Sequence, residues 1–313
     1  MLTACQPGVD NSSGKRSEPQ IRSVSTREEV SLIVLGNVQD AGSPQIGCMK
    51  SCCIHLHDTP DPGRKVTSIG LVDPSNGRTF LFEATPDIGA QMKMLTDCLP
   101  GSPKVLADGI FLTHAHIGHY AGLMFLGKEA IDAQQIPLYA MPRMRKFISE
   151  NGPWSQLVSR QNVLLRAVKD TTVLSPEIRV ESFLVPHRDE FSETVGYKIY
   201  GPNKSALFIP DIDKWSRWDR DIVEEVNKVD YAFLDATFYS GEEMNNRDIS
   251  QIPHPFVIES LEKFEALGKE ERGKIIFIHL NHTNPLLNPN SEESKYVLGL
   301  GYQIARMGDT FAL

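Results

Sequence analysis

The run Gly109-Ile-Phe-Leu-Thr-His114-Ala-His116-Ile-Gly118-His119-Tyr-Ala-Gly122 carries three histidines within six residues, directly after a short apolar segment. Residues two apart on an extended segment point to the same side, so His114 and His116 face one direction. His119 comes where a helix is expected to begin, and it can turn back toward the same point. Because neutral imidazole is the commonest metal ligand, the run predicts part of a metal site rather than three unrelated loop histidines.

The composition is that of a globular protein. The chain has 313 residues, of which 41% are hydrophobic and 23% charged, enough for one large domain or two small ones. A formal net charge of −8 argues against nucleic acid as a partner, because a phosphate backbone requires a basic surface. We therefore expect a small-molecule substrate, and a homodimer is left open. No apolar run approaches the roughly 20 residues that span a bilayer.

The N-terminal segment differs in composition from the rest of the chain. Residues 1–29 are polar and predicted to be a disordered tail, whereas residues 30–313 are predicted to form one domain. Leu2-Thr3-Ala4-Cys5 resembles the end of a bacterial lipoprotein signal, although no apolar segment precedes it. Two interpretations stay open: a cytoplasmic protein with a disordered start, or a truncated start whose Cys5 carries a lipid that anchors the protein to a membrane.

The order of apolar runs and turns predicts the fold class. We expect strands at residues 31–35, 67–73, 79–84, 138–141, 178–185, 194–200, 205–209, 231–236 and 274–280, and helices at 86–99, 120–131, 142–149, 215–229 and 254–267. Turns around Asn76-Gly77 and Gly201-Pro202-Asn203 join strands into two hairpins. The pattern favours an α/β protein, an αββα sandwich of two mixed β-sheets with helices on the outer faces. The alternative, a single doubly wound parallel sheet, is disfavoured by the hairpins.

Three further ligand-capable residues each follow an apolar run. His187, Asp211 and His279 come directly after segments with the pattern of buried strands, so each is placed at the rim of a sheet. Clefts in α/β proteins form at such rims. Any one of them alone is more often an ordinary rim residue than a ligand.

The histidine run resembles the His-x-His-x-Asp-His signature of the metallo-β-lactamase fold, with Gly118 at the Asp position. The similarity extends from about residue 32 to residue 313. The chain resembles the pyrroloquinoline-quinone biosynthesis protein B group and the cyclic-ribose phosphodiesterases of phosphonate breakdown. The segment Leu81-Phe-Glu83-Ala-Thr-Pro-Asp87-Ile is similar to the Asn-Ala-Ser-Pro-Asp-Ile stretch of the first group.

The resemblance implies one or two divalent cations, Zn, Mn or Fe. The implied ligands of the first are His114, His116, His187 and Asp211, and those of the second are His119, Asp211 and His279. Two cations bridged by Asp211 would lower the pKa of a shared water and polarise the bond under attack. Gly118 removes a carboxylate, so the second cation is expected to be held more weakly, and part of the population to be mononuclear. Glu83 stands where the fold often has a carboxylate that orients a ligand histidine.

A second motif bears on the substrate. Asp235-Ala-Thr-Phe238 followed by Ile252-Pro-His254-Pro resembles a pattern of the phosphodiesterase branch that includes ribonuclease Z. The resemblance implies that His254 steadies the scissile phosphate or protonates the leaving oxygen, a role that suits an imidazole near neutral pH. The alternative is an ordinary N-terminal residue of the following helix.

The cysteines suggest a structural metal rather than a disulfide framework. Cys48-Met-Lys50-Ser-Cys52-Cys53 resembles the Cys-x-Cys-x-x-Cys that holds a structural zinc in both named groups, with Lys50 at the middle position. Cys52 is the expected substitute, and His282 matches the fourth ligand. Such a zinc would tie the long loop at residues 36–65 to the end of the last strand. His55 and His57 are further candidates, and the alternative is a set of reduced thiols.

The sequence thus predicts a metal-dependent hydrolase that uses metal-bound hydroxide, with Asp211 and His254 as catalytic residues and a small phosphodiester or related ester as substrate. One alternative is an iron-dependent oxygenase related to pyrroloquinoline-quinone biosynthesis protein B, because histidine and carboxylate ligands also suit iron. That group often lacks the first two histidines, which this chain has. A non-catalytic, metal-stabilised binding protein is the other alternative, which Gly118 keeps open.

Overall fold

The computed structural model describes residues 29–99, 101–168, 170–244 and 248–313. The predicted tail, including Cys5, lies outside the described residues except for Glu29. The strands of the described part form two sheets of seven strands each. Among the described residues, no helix has the length and apolar character needed to cross a bilayer.

The first sheet is built from the N-terminal half of the chain and one C-terminal strand. Its strands are β1 (Ser31–Gly36), β2 (Ser68–Asp73), β3 (Arg78–Phe82), β4 (Gly109–Phe111), β5 (Ile136–Ala140), β6 (Val163–Ala167) and β14 (Thr310–Ala312). Their spatial order is β14-β1-β2-β3-β4-β5-β6. The pairs from β14 to β3 are antiparallel, and those from β3 to β6 are parallel.

The second sheet repeats this plan. Its strands are β7 (Thr171–Ser175), β8 (Ile178–Leu184), β9 (Val195–Tyr200), β10 (Ser205–Ile209), β11 (Tyr231–Asp235), β12 (Ile275–Ile278) and β13 (Gln303–Ile304). The spatial order is β13-β12-β11-β10-β9-β8-β7. The pairs from β7 to β10 are antiparallel, and those from β10 to β13 are parallel. Both sheets are therefore mixed, and both predicted hairpins, β2–β3 and β9–β10, are confirmed.

The described part of the chain contains nine α-helices. They are α1 (Ile54–Asp58), α2 (Ile88–Thr96), α3 (Ile117–Tyr120), α4 (Pro142–Glu150), α5 (Trp154–Ser159), α6 (Ile222–Asn227), α7 (Val257–Lys263), α8 (Lys269–Arg272) and α9 (Glu292–Gly299). One apolar cluster joins α2, α4 and α5 to the first sheet, and another joins α6, α7 and α9 to the second. The layers are thus helix, sheet, sheet, helix.

A third apolar cluster fills the space between the sheets. Alternate residues of a strand serve the two faces: in β3, Phe80 and Phe82 lie between the sheets, whereas Leu81 packs against the outer helices. Phe82 stacks on Phe111 at 4.8 Å between ring centroids, and its edge-to-face contact with Phe208 of the second sheet spans 6.2 Å. The predicted αββα sandwich is confirmed, and the single parallel sheet is excluded.

Two predicted helices are shorter or broken in the structure. The helix expected at residues 120–131 is α3 followed by a 3₁₀ segment at Ala121–Leu126. There the backbone N–H of Gly122 donates to the carbonyl of Ala84 in a neighbouring loop, at 2.8 Å, instead of to the preceding helical turn. The helix expected at 215–229 is a 3₁₀ turn at Trp215–Arg217 and a separate α6, whose start is capped by the Asp221 carboxylate.

Candidate metal centre

Four strand ends bring the predicted ligands to one rim of the sandwich, and a fifth adds one further carboxylate. His114 follows β4, His187 follows β8, Asp211 follows β10, and His279 comes directly after β12. Asp235, which was not among the predicted ligands, is the last residue of β11. Because the parallel strands of each sheet end at the same edge, their side chains converge there. We call the set His114, His116, His119, His187, Asp211 and His279 the rim centre.

Asp211 lies at the middle of the rim centre. Its Oδ2 is 3.3 Å from His114 Nε2, 3.2 Å from His187 Nε2, 3.8 Å from His116 Nδ1 and 3.7 Å from His119 Nε2. The ligand atoms of His114, His116, His187 and Asp211 all lie within 4.8 Å of one another. The structure therefore brings together all four residues implied for the first cation; that they bind one stays a prediction.

The second group lies on the other side of Asp211. His279 Nδ1 is 2.9 Å from Thr237 Oγ1, so its Nε2 is left for a ligand role. The rings of His119 and His279 are 5.4 Å apart between centroids. His279 has a φ of 64°, a strained value for a residue with a side chain, as occurs at functional sites. Asp211, Asp235, His254 and His279 also have ligand atoms within 4.8 Å of one another, which adds Asp235 and His254 as candidates.

The chemistry of these groups fits a cation. His114 Nε2, His119 Nε2, His279 Nε2 and Asp211 Oδ1 are buried and make no hydrogen bond of good geometry among the described residues, although Asp211 Oδ1 lies 3.2 Å from His254 Nδ1. Buried polar atoms without partners are rare in native proteins and call for an explanation. Four such atoms, all of types that bind Zn, Mn or Fe, lie in one cluster, and cations held by the rim centre would satisfy them.

The protonation states of Asp211 and His114 agree with this fit, whereas His119 is charged in the metal-free protein and must lose a proton to bind a cation. Burial opposes ionisation of Asp211, but His187 and His254 hold the pKa of its carboxyl well below the ordinary value. Burial and the neighbouring His119 lower the pKa of His114 well below the ordinary value. Asp211 is therefore ionised and His114 neutral at pH 7, which are the forms that bind a metal.

Glu83 lies beside the ligand His119, as the resemblance implies. Its Oε2 is 3.6 Å from His119 Nδ1, and its Oε1 accepts a hydrogen bond from the Thr113 N–H at 3.2 Å. Glu83 is fully buried and has a φ of 79°. Although burial works in the opposite direction, the Glu83 carboxylate, with smaller contributions from Asp40 and Asp211, raises the pKa of His119 to about 9.

His254 points into the rim centre rather than capping a helix. It lies before α7, which begins at Val257, and its Nδ1 is 2.9 Å from Asp235 Oδ2 and 3.2 Å from Asp211 Oδ1. Burial lowers the pKa of His254, but Asp235 and Asp211 outweigh it and raise this pKa to about 10. His254 therefore lies between two carboxylates of the rim and not in α7, and its catalytic role stays a prediction.

The predicted thiol ligands also come together. The ligand atoms of Cys48, Cys52, Cys53 and His282 lie within 4.8 Å of one another, and we call this set the thiolate cluster. Burial and the neighbouring thiols raise the pKa of Cys52 to about 12, so a cation is needed to make it a thiolate. Of the further candidates, His57 contacts the Cys48 carbonyl at 3.1 Å, and His55 lies exposed on α1. A zinc at the thiolate cluster stays a prediction.

The structure adds residues that the sequence did not single out. Asp235 comes at the end of an apolar run, as Asp211 does, so the sequence contained the pattern that could have identified it as a candidate ligand. Thr113 and Thr237 hold ligand imidazoles through their hydroxyls: Thr113 Oγ1 is 2.8 Å from His114 Nδ1. Thr237 Oγ1 also donates to Asp235 Oδ1 at 2.7 Å. Nothing in the sequence distinguishes these two threonines from others in loops.

Several known proteins are similar to this chain. Coenzyme PQQ synthesis protein B of Methylorubrum extorquens strain PA1 is 26% identical over 308 residues, covering 90% of this chain and 99% of that protein. The same protein of Rhizobium meliloti is 24% identical over 308 residues, with 90% and 97% covered.

Solved structures share the fold. Zinc-bound PqqB from Methylobacterium extorquens has a TM-score of 0.72 and 24% identity, covering 90% of this chain and 100% of that one. A diphosphatase from the PhnP family has a TM-score of 0.64 and 23% identity, with 91% and 97% covered. The model of the beta-lactamase superfamily domain matches residues 78–280, which include every residue of the rim centre. Because this match spans well over half of the chain, the protein belongs to the beta-lactamase superfamily and has the metallo-β-lactamase fold.

Proposed function

We propose that the protein is a metal-dependent hydrolase of a small phosphodiester or related ester. The observation that carries this proposal is the position of His254, a buried imidazole that lies 3.2 Å from Asp211 and 2.9 Å from Asp235. An acid placed beside the candidate metal ligands is what cleavage of a phosphate ester requires, because the leaving oxygen needs a proton.

The residues of the rim centre would hold the cations. His114, His116, His187 and Asp211 would bind the first, and His119, Asp211 and His279 the second. When bound, the cations supply a water of lowered pKa and offset the charge that develops on the phosphate. The buried ligands exclude other water: His114 is 1% exposed, and His119 and His279 are fully buried.

His254 would donate the proton. Its Nδ1 contacts Asp235 and Asp211, so Nε2 is the nitrogen left for the leaving oxygen. Asp235 is a positioning residue, because its Oδ1 accepts from the Thr237 N–H at 2.9 Å and its Oδ2 from the Ile212 N–H at 3.2 Å. These two backbone bonds fix the carboxylate that orients the imidazole.

Two further observations support a small phosphate-containing substrate. A diphosphatase of the PhnP family shares the fold over 91% of this chain. The net charge of −8 disfavours long polyanions and leaves the local positive charge of the metal centre to attract a single phosphate group.

The test is turnover of bis(p-nitrophenyl) phosphate by protein loaded with Zn, Mn or Fe. We expect Asp211→Asn to lower kcat/KM by at least about 10³-fold and to lose bound metal. The matched control is Asp213→Asn, whose carboxylate pairs with Arg217 at 2.7 Å in the same loop and should leave turnover unchanged. Absence of phosphodiester turnover in the fully metal-loaded protein would contradict the proposal.

A second candidate is an iron-dependent oxygenase, which the similarity to coenzyme PQQ synthesis protein B over 90% of the chain favours. Histidine and carboxylate ligands suit Fe(II) as well as zinc. Oxygen uptake by the iron-loaded protein, measured with an oxygen electrode, would support this reading over hydrolysis. If the metal-loaded protein shows neither hydrolysis nor oxygen uptake, the result supports a metal-stabilised binding protein.

A further inference from the structure

The space beside Gly118 is filled by another part of the chain. A Cβ at Gly118 would lie 2.2 Å from Asp40 Cβ, 2.7 Å from the Asp40 carbonyl oxygen and 2.8 Å from Asp40 Cα. These separations are far below van der Waals contact, so only glycine fits at 118 while Asp40 keeps its place. Gly118 is not among the glycines with positive φ, so close approach, not backbone conformation, explains it. The signature Asp is therefore absent at position 118 because Asp40 occupies the space that its side chain would need.

The backbone around Asp40 is fixed by the strand end that carries His279. Val38 forms β-bridges with Val66 and Leu280. The Gln39 N–H donates to the Leu280 carbonyl at 2.8 Å, and the Leu280 N–H donates to the Asn37 carbonyl at 2.8 Å. Since Leu280 directly follows His279, Asp40 is held between two segments that carry second-cation ligands, the one with His119 and the one with His279.

The Asp40 side chain begins beside Gly118, the residue that precedes His119. The side-chain amide of Gln39 donates to Asp40 Oδ1, which leaves Oδ2 available. Asp40 is half-buried, so its charge is only partly screened by solvent.

We propose that Asp40 supplies the carboxylate that position 118 lacks, so that His119, His279, Asp211 and Asp40 together hold the second cation. A carboxylate from Asp40 restores the negative charge that Gly118 removes, and the second cation is then not the weaker one expected from the signature. Divalent cations bind most tightly where carboxylates and imidazoles converge. The inference concerns metal binding alone, so a failed phosphodiester assay leaves it standing.

The test is titration with Mn²⁺ of the full chain after all metal has been stripped and one equivalent of Zn²⁺ has been returned to the thiolate cluster. Mn²⁺ is a hard cation that prefers oxygen and nitrogen ligands to thiols. Bound Mn²⁺ is followed by equilibrium dialysis, and the pair is detected as an exchange-coupled EPR signal. We expect the natural protein to bind a pair of ions in the rim centre. Asp40→Asn should weaken the second ion at least about tenfold, leave the first unchanged and give a mononuclear spectrum.

The matched control is Asp58→Asn, an exposed carboxylate of the same loop, which should behave like the natural protein. Gly118→Ala provides an independent variant, because its methyl group would displace Asp40 without adding or removing a ligand. We expect it also to lose the coupled signal. Binding of both ions by Asp40→Asn with unchanged affinity would overturn the proposal, and so would a natural protein that binds only one Mn²⁺ at saturation.

Discussion

The rim centre and the thiolate cluster are built in opposite ways. The rim centre takes its ligands from the ends of strands in both sheets, and His114, Asp211 and His279 are all at most 3% exposed. The thiolate cluster takes three of its four ligands from one loop, and Cys48 and Cys52 are only half-buried. The first is positioned by the fold, the second by a long segment with little regular structure.

This difference predicts different roles for a cation at each site. The sheets impose the geometry of the rim centre, where a cation would satisfy buried polar atoms that lack hydrogen bonds. A long loop loses much conformational entropy when it is ordered, so a cation at the thiolate cluster would stabilise that order. The two are also connected, because Asp40 lies in the same loop, and His282 follows His279 by three residues.

The largest effect is expected from breaking the thiolate cluster. In Cys52→Ser we expect loss of the structural zinc, because serine does not replace a thiolate, while the half-buried position avoids a core cavity. Amide hydrogen exchange at residues 48–58 should accelerate by roughly 100-fold or more, since zinc binding supplies the free energy that orders such loops. Zinc analysis and hydrogen-exchange mass spectrometry provide the measurement.

The control for this variant is Cys98→Ser, a cysteine buried in the core beneath α2 and outside both clusters. It should keep its zinc and the exchange rates of the loop, although its overall stability falls. Unchanged exchange at residues 48–58 in Cys52→Ser would show that the loop is ordered by packing and that the contrast between the clusters is wrong.

A change of pH is expected to have an intermediate effect on the Tm of the metal-free protein. The pKa of His254 rises from 6.5 to about 10 and that of His119 from 6.5 to about 9. A raised folded-state pKa stabilises the protein fully below pH 6.5, and this stability is lost as pH rises through the folded value. We therefore expect the Tm of the metal-free protein to fall between pH 6.5 and 10, by several degrees, as one pKa unit is worth about 1.4 kcal/mol.

His282 of the thiolate cluster is expected to affect stability over a different pH range from His254. Burial, with Lys50, lowers its pKa, so its contribution to stability is lost as pH falls below 6.5 and is constant above it. His254→Gln should flatten the decrease in Tm above pH 6.5, whereas His282→Gln should retain it. Tm is measured by differential scanning calorimetry at each pH. If Tm falls equally with pH in His254→Gln and in the natural protein, the carboxylates do not hold the proton on His254.

The rim ligands were predictable because their signal is local. A lone histidine or aspartate after a run of buried apolar residues must lie at a sheet edge, as His187, Asp211 and His279 do. Asp235 had the same signal but was noted only as part of a motif. The αββα sandwich was predictable for a related reason, because turns with Asn-Gly or Gly-Pro-Asn identify the hairpins that a single parallel sheet cannot contain.

Features set by distant contacts were not predictable. Asp40 is placed by the backbone bonds of its neighbours Asn37 and Gln39 to Leu280, far away in the sequence, and by the absent side chain of Gly118. The helix expected at residues 120–131 ended early because Gly122 donates to Ala84, a bond made only in the folded protein. Local patterns identify which residues can bind a metal, while tertiary contacts determine which of them meet.

The smallest effect is expected from Glu83→Gln. Glutamine preserves the size of the side chain and the bond from the Thr113 N–H, but removes the negative charge 3.6 Å from His119 Nδ1. Carboxylates that orient a ligand histidine typically contribute a factor of about 10 to metal affinity, or 1.4 kcal/mol. We therefore expect the second Mn²⁺ to bind about tenfold more weakly and the first with unchanged affinity, measured by equilibrium dialysis.

Glu243→Gln is the matched control, because Glu243 is a partly buried carboxylate that accepts from Thr283 Oγ1 at 2.8 Å near the thiolate cluster. It should leave both Mn²⁺ affinities unchanged. If Glu83→Gln also leaves them unchanged, then Glu83 serves only to bind the Thr113 N–H, and its strained φ of 79° supports the backbone at the end of β3 rather than the imidazole of His119. This pair of variants thus tests the effect of the Glu83 charge separately from that of its shape.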